Sequence, residues 1–174
     1  MQFAVILDFG YTEDPSIPST IHDLSNYAIH EFERTHTIFL AQSATYAYLR
    51  QRYPQLIANQ RLLEIAVEQS GTSNGQGVKD GGTFYVLRQA KLMIDRICQQ
   101  AEDSSLPMVY IMAHKLHMPR ALRQAHLVDL HCIAASYQPT KLYSASTQWW
   151  CRNRFLWYLR EIPGCVILKL ARQL

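Results

Sequence analysis

VYIMAHKLHMPRALRQAHLVDLHCIAA, residues 109–135, is an apolar run that stops in a cluster of His, Lys and Arg, becomes a helical pattern, and returns to a second short apolar run. The first run reads as a buried strand, PMVYIMA at 107–113, and the pattern after it as a helix, MPRALRQAHL at 118–127. Pro119 falls in the first turn of that helix, where a missing N–H costs little. LHCIAA, 130–135, then reads as another short strand.

Working outward, the same alternation recurs. FAVILDF, 3–9, is a continuous apolar run ending in Asp8, Phe9 and Gly10. A strand covered on both faces looks like this. After the proline-containing loop YTEDPSIPST, Thr20 can cap a helix to about Arg34, with Ile21, Leu24, Ala28 and Phe32 at helical spacing. HTIFLAQ, 36–42, is a second strand, and SATYAYLRQRY a helix capped by Ser43 and broken before Pro54. RLLEIAVEQ, 61–69, reads as a strand at Leu63 to Val67, with a helix as the competing reading. SGTSNGQGVKDGG holds five of the seven glycines, Gly71, Gly75, Gly77, Gly81 and Gly82, and must be a loop. Thr83 opens the clearest helix, TFYVLRQAKLMIDRICQQ, with Val86, Ala90, Met93 and Ile97 on one face. Beyond SYQPTKLYSAST, the aromatic segment TQWWCRNRFLWYLREI reads as one helix ended by Pro163 and Gly164, and CVILKLARQL closes the chain.

Strands alternating with helices predict an α/β sandwich, a mostly parallel sheet with helices on both faces, in a single domain spanning 1–174. In such sheets ligands bind outside the carboxyl ends of the strands, where the strand order reverses. The predicted site is therefore Asp8 to Tyr11, Ala41 to Thr45, the glycine loop before Thr83, and His114 to Arg120. At the last of these a strand ends and a helix begins, so free N–H groups and the helix dipole would favour an anion. Arg120 offers a planar fork matched to phosphate or carboxylate, Lys115 a point charge, and His114 or His117 a donor or proton carrier near neutral pH.

Composition bounds the function. With 174 residues, 48% hydrophobic and 18% charged, the chain is long enough to bury a core without metal or disulfides. A net charge of +3 is too small to imply non-specific nucleic-acid binding. The charge is uneven: Lys115, Arg120 and Arg123 lie together without an acid, and Arg152, Arg154, Arg160, Lys169 and Arg172 face only Glu161. No apolar run approaches the ~20 residues of a membrane span, and MQFAVILDFG has no cationic leader, so a cytoplasmic location is expected. Cys98, Cys132, Cys151 and Cys165 form no CxxC pair, and Cys98 and Cys165 sit among apolar residues, as buried free thiols do.

HMPRA at 117–121, after a buried strand, resembles the hallmark of the YdcF/SanA/ElyC-like proteins. The resemblance runs in order along most of the chain: an apolar first strand reaching a Gly, a second strand before a small-residue turn, a Thr-initiated helix before the HMPRA strand, and WYLRE in a closing tryptophan-rich helix. It implies a Rossmann-like fold with a polar pocket at the strand ends. His117 and Arg120 match the motif, and Thr83 matches the Thr that opens the preceding helix. Some members are tied to cell-envelope physiology through a membrane anchor. The chain departs from the pattern at LDFGYTED, at LAQSATYAYL, which lacks a glycine pair and an acid, and at GGTFYVLRQA, which lacks both asparagines. A missing glycine pair blocks close backbone approach to a phosphate.

Other readings compete. His114, His117, His126, His131 and Cys132 cluster in sequence, but a strand would put His131 and Cys132 on opposite faces, so no metal site is expected. Ser43 or Cys132 as a nucleophile lacks a G-x-S-x-G elbow. Asp8 is either a proton carrier or a turn cap. The glycine loop lacks a nucleotide fingerprint but is long enough for a lid. Trp149 to Trp157, among arginines, is core packing or a peripheral contact with a partner or membrane surface. The sequence thus predicts a small-molecule-binding protein holding an anion, a nucleotide or phosphorylated metabolite, with Gly10, Ser43, Thr83, His114, Lys115, His117 and Arg120 as ligand-binding residues. A transferase or hydrolase using Asp8 or His117, and an interaction protein with a degraded pocket, are the alternatives. No particular cofactor is implied.

Overall fold

The computed structural model describes residues 1–9, 17–32, 34–66, 82–102 and 105–160. Its five strands are β1 (Gln2–Ile6), β2 (Ile38–Ala41), β3 (Leu62–Glu64), β4 (Met108–Met112) and β5 (Ile133–Ala134). They form one sheet in the order β3-β2-β1-β4-β5, and every pair is parallel. In register, Val5 lies between Leu40 and Ile111, and Ile6 between Ala41 and Met112. The chain therefore has a Rossmann-like α/β architecture whose strand order reverses between β1 and β4.

Alternation along β1 shows why the run FAVIL is apolar throughout. Phe3, Val5 and Leu7 belong to one core, while Ala4 and Ile6 belong to another on the opposite face. The first core is covered by α4 (Thr83–Gln100) and α5 (Met118–Leu127), through Val86, Leu87, Ala90, Ile94, Ala121 and Ala125. The second is covered by α1 (Thr20–Phe32), α2 (Ser43–Arg52) and the short α3 (Gln55–Ala58), through Leu24, Ala28, Phe32, Leu49 and Leu56. Parallel strands joined by right-handed crossovers require this split, because reversing the direction of strand addition moves the connecting helix to the other face.

The strands are shorter than the apolar runs: Leu62–Glu64 pairs in place of Leu63 to Val67, and only Ile133–Ala134 of 130–135. Val67 lies outside the described residues. Ser43 is the first residue of α2 rather than its cap; Gln42 precedes the helix and makes no side-chain cap bond. Asp8 supplies that cap from the tip of β1, as described below. Three helix exits turn on left-handed residues that are not glycine, Gln60 after α3, Glu102 after α4 and Asp129 after α5. At the last of these, Leu130 N donates to Ala125 O (3.0 Å), the long bond of a Schellman turn, and feeds the chain into β5.

The single aromatic helix expected over 147–162 is a correction. Trp149–Cys151 form one 3-10 turn, the chain bends at Arg152 and Asn153, and a separate helix occupies 154–160. Asn153 causes the break: its Oδ1 accepts the Leu156 N–H at 2.9 Å, which makes it a cap rather than an interior residue. Ile162 and the closing CVILKLARQL lie outside the described residues, as does Cys165. Among the described cysteines, Cys98, Cys132 and Cys151 are free thiols; Cys151 is buried, whereas Cys98 is only partly so. Among the described residues no helix is long and apolar enough to cross a membrane.

Leu40 is fully buried in β2, between β1 and β3. Leu40→Ala should therefore lower the free energy of unfolding by about 2–5 kcal/mol in a denaturant titration; Leu92→Ala, on the exposed side of α4, should change it by less than ~0.5 kcal/mol.

Candidate functional site

The strand order reverses between β1 and β4, and at the carboxyl ends of these strands three segments come together: Asp8 and Phe9 after β1, His114 to Arg120 after β4, and Thr83 at the start of α4.

Asp8 faces α2. Its carboxylate accepts the N–H groups of Ala44 and Thr45 at 3.2 Å each and the Thr45 hydroxyl at 2.5 Å, while its own N–H donates to Gln42 Oε1 at 2.7 Å. It is thus the N-cap of a helix 36 positions away in sequence. Burial pushes its carboxyl above the usual carboxylate range, and the bonds from Thr45 and Ala44 pull it part of the way back. With its oxygens committed to the first turn of α2, Asp8 is a structural tie, and the role of proton carrier is not supported by its contacts.

His114 is fully buried and stacks flat on Phe9, ring centroids 4.4 Å apart and 8° from parallel. Its Nδ1 accepts the Leu116 N–H at 3.1 Å, so the proton of the neutral ring sits on Nε2. Its pKa is lowered to about 4, chiefly by burial and with Arg154 acting the same way, while the backbone of Lys141 and Thr140 and the charge of Asp23 oppose the shift. His117 is also buried and lies between Phe9 and Trp157, at 5.9 Å from each. Burial first, then Arg120, Arg160 and His114, lower its pKa to about 3. Both imidazoles are therefore neutral at physiological pH.

His117 Nε2 is hydrogen-bonded to Thr83 Oγ1 at 3.0 Å, and Arg120 Nη2 donates to the same hydroxyl at 3.3 Å. The three residues matched by the HMPRA resemblance thus meet at one atom, although 34 and 37 positions separate Thr83 from the other two. His117 Nδ1 has no hydrogen-bond partner among the described residues.

The sequence placed the free N–H groups at the start of α5, and the structure moves them. Lys115 N donates to Pro139 O, Leu116 N to His114 Nδ1, both His117 N and Met118 N to His114 O, and Arg120 N to His117 O; Pro119 has none. That helix start is closed. At α4 the situation is the reverse. Gly82 precedes the helix in an extended conformation without a side-chain cap, and the N–H groups of Thr83 and Phe84 meet no acceptor among the described residues. The positive end of an 18-residue helix therefore lies beside the Arg120 guanidinium and the Thr83 hydroxyl.

Not every expected residue reaches this corner. The Lys115 and Ser43 side chains are exposed, and neither makes a described contact with Thr83, His117 or Arg120. Gly10, Tyr11 and Gly71 to Gly81 lie outside the described residues, and with them the lid reading of the glycine loop. Among the described residues no three His, Cys, Asp or Glu side chains group to hold a metal. Sequence reasoning missed Phe9 and Trp157 as walls of the histidine pair; their rings lie 4.9 Å apart. The place of Trp157 in WYLRE was the available signal. Searched against protein-family models, curated proteins and solved structures, the chain matches none.

Two buried neutral histidines give a signed prediction. Each has a folded pKa below its unfolded value near 6.5, so the stability tied to it is complete above pH 6.5 and is lost as pH falls towards about 4 for His114 and about 3 for His117. In that window each contributes a slope of about 1.4 kcal/mol per pH unit. Urea titrations between pH 7 and 4 should show this acid-side loss, with a shallower slope in His114→Gln; an unchanged slope would contradict the assignment.

Proposed function

We propose that this chain is a small-molecule-binding protein, a divergent relative of the YdcF-like proteins, that holds an anionic ligand at the carboxyl ends of its strands. The ligand class is a nucleotide or a phosphorylated metabolite. Its anionic group would sit at the start of α4, on the N–H groups of Thr83 and Phe84, with Arg120 as the charged partner. The observation that carries this reading is the meeting of Arg120 and His117 on the Thr83 hydroxyl beside that uncapped helix end. A helix N-terminus with an adjacent guanidinium binds phosphate or carboxylate well. The neutral His117 adds a hydrogen-bonding group without competing for the anion's charge.

A second reading, a transferase or hydrolase, is favoured by one contact alone. Thr83 Oγ1 and His117 Nε2 are within the reach of a nucleophile and its base. Against it, a ring whose pKa is about 3 is a poor base at neutral pH, and no third group orients its Nδ1 among the described residues. Binding is therefore the stronger reading.

Thermal shifts test both. A ligand at about 100 times its Kd adds ~2.7 kcal/mol to stability, or about 5–10 °C at this chain length. In a panel of nucleotides, sugar phosphates and inorganic phosphate, at least one compound should raise the Tm of the wild type by that order and leave Arg120→Ala unmoved. A panel that shifts neither protein, or both equally, overturns the binding reading. Phosphoester turnover that is lost in His117→Ala and Thr83→Val would instead install the enzyme.

A further inference from the structure

Helix 154–160 has an inner and an outer side. Trp157, only 2% exposed, packs inward on Phe9 and His117. Phe155, Tyr158 and Leu159 follow the i, i+3, i+4 spacing of a single apolar stripe, and they are 73%, 52% and 56% exposed. That stripe faces away from the body of the protein. Trp149, 46% exposed, extends the apolar surface on the preceding turn. Together these side chains offer roughly 400–500 Å² to solvent, comparable to the largest apolar patch on a typical monomer, which is often functional.

The surroundings are cationic. Arg152 and Arg154 are exposed, and the Arg160 guanidinium lies 4.3 Å from the Trp150 ring centroid. Residues 114–160 carry seven Lys or Arg against the single acid Asp129, whereas residues 1–113 carry eight against twelve. The positive charge of the chain is thus concentrated in the part that bears the stripe.

We propose that this face docks on an anionic lipid bilayer, with Phe155, Tyr158, Leu159 and Trp149 entering the headgroup region and Arg152 and Arg154 meeting the lipid phosphates. Charge selects an anionic surface as the occupant: Arg152 and Arg154 are exposed beside the stripe, and residues 130–160 contain no acid. The stripe's composition, aromatic rings bordered by arginine, is that of side chains at the membrane–water boundary. The contact is peripheral.

Sedimentation of the whole chain with phosphatidylcholine vesicles, with and without phosphatidylglycerol, tests the inference. The protein should partition onto the anionic vesicles only, and less so as salt is raised. Phe155→Ser combined with Leu159→Ser should weaken partitioning at least ~10-fold with an unchanged circular dichroism spectrum, while Arg120→Ala should bind as the wild type does. Absence of partitioning onto anionic vesicles overturns the proposal, as does a double variant that binds undiminished. A dimer in sedimentation equilibrium that the double variant dissolves also overturns it, since a second copy would then cover the stripe.

Discussion

β1 is hydrogen-bonded in parallel on both sides, to β2 and to β4, and the rest of the architecture follows from that double pairing. Because β2 and β3 extend the sheet one way and β4 and β5 the other, the connecting helices are driven to opposite faces. α1 and α2 leave on one side of the tip of β1 and α4 and α5 on the other. The residues that end the two central strands meet above that tip. Asp8 and Phe9 from β1 and His114 from β4 are consequently neighbours, whatever the loops between them contain.

Each ionisable group at these strand ends has its own partners. Asp8 turns to the α1/α2 side, where its carboxylate is used up capping α2. His114 stacks on Phe9 and His117 lies between Phe9 and Trp157, and their burial favours the uncharged rings. Arg120 stands at the start of α4, its Nη2 on the Thr83 hydroxyl.

Much of this was legible in the sequence, for identifiable reasons. Strands such as FAVIL and VYIM are apolar on both faces, so their burial in a parallel sheet could be read directly from the absence of alternation. The grouping of Thr83, His117 and Arg120 was legible only through the family-like motif, since no local pattern joins residues so far apart. Hydrogen bonding is what sequence reasoning misjudged. A helix start is expected to have spare N–H groups, but the tight turn 114–118 folds back on its own carbonyl and ring nitrogen and uses them all. The cap of α2 was likewise hidden, because Asp8 is distant in sequence and Ser43 is a plausible local candidate. Asn153, inside an otherwise uniform aromatic pattern, was the residue whose capping chemistry outweighed periodicity.

The depressed basicity of His117 links the crevice to solvent protons. Burial and the nearby Arg120 and Arg160 charges keep that ring unprotonated. A negative group resting on the first turn of α4 would reverse part of that imbalance, and the imidazole would then take up a proton more readily. Occupancy and protonation would be thermodynamically linked, each strengthening the other by the same factor. If the proposed anion rests there, its affinity would rise as pH falls, because binding and protonation of His117 share one coupling free energy.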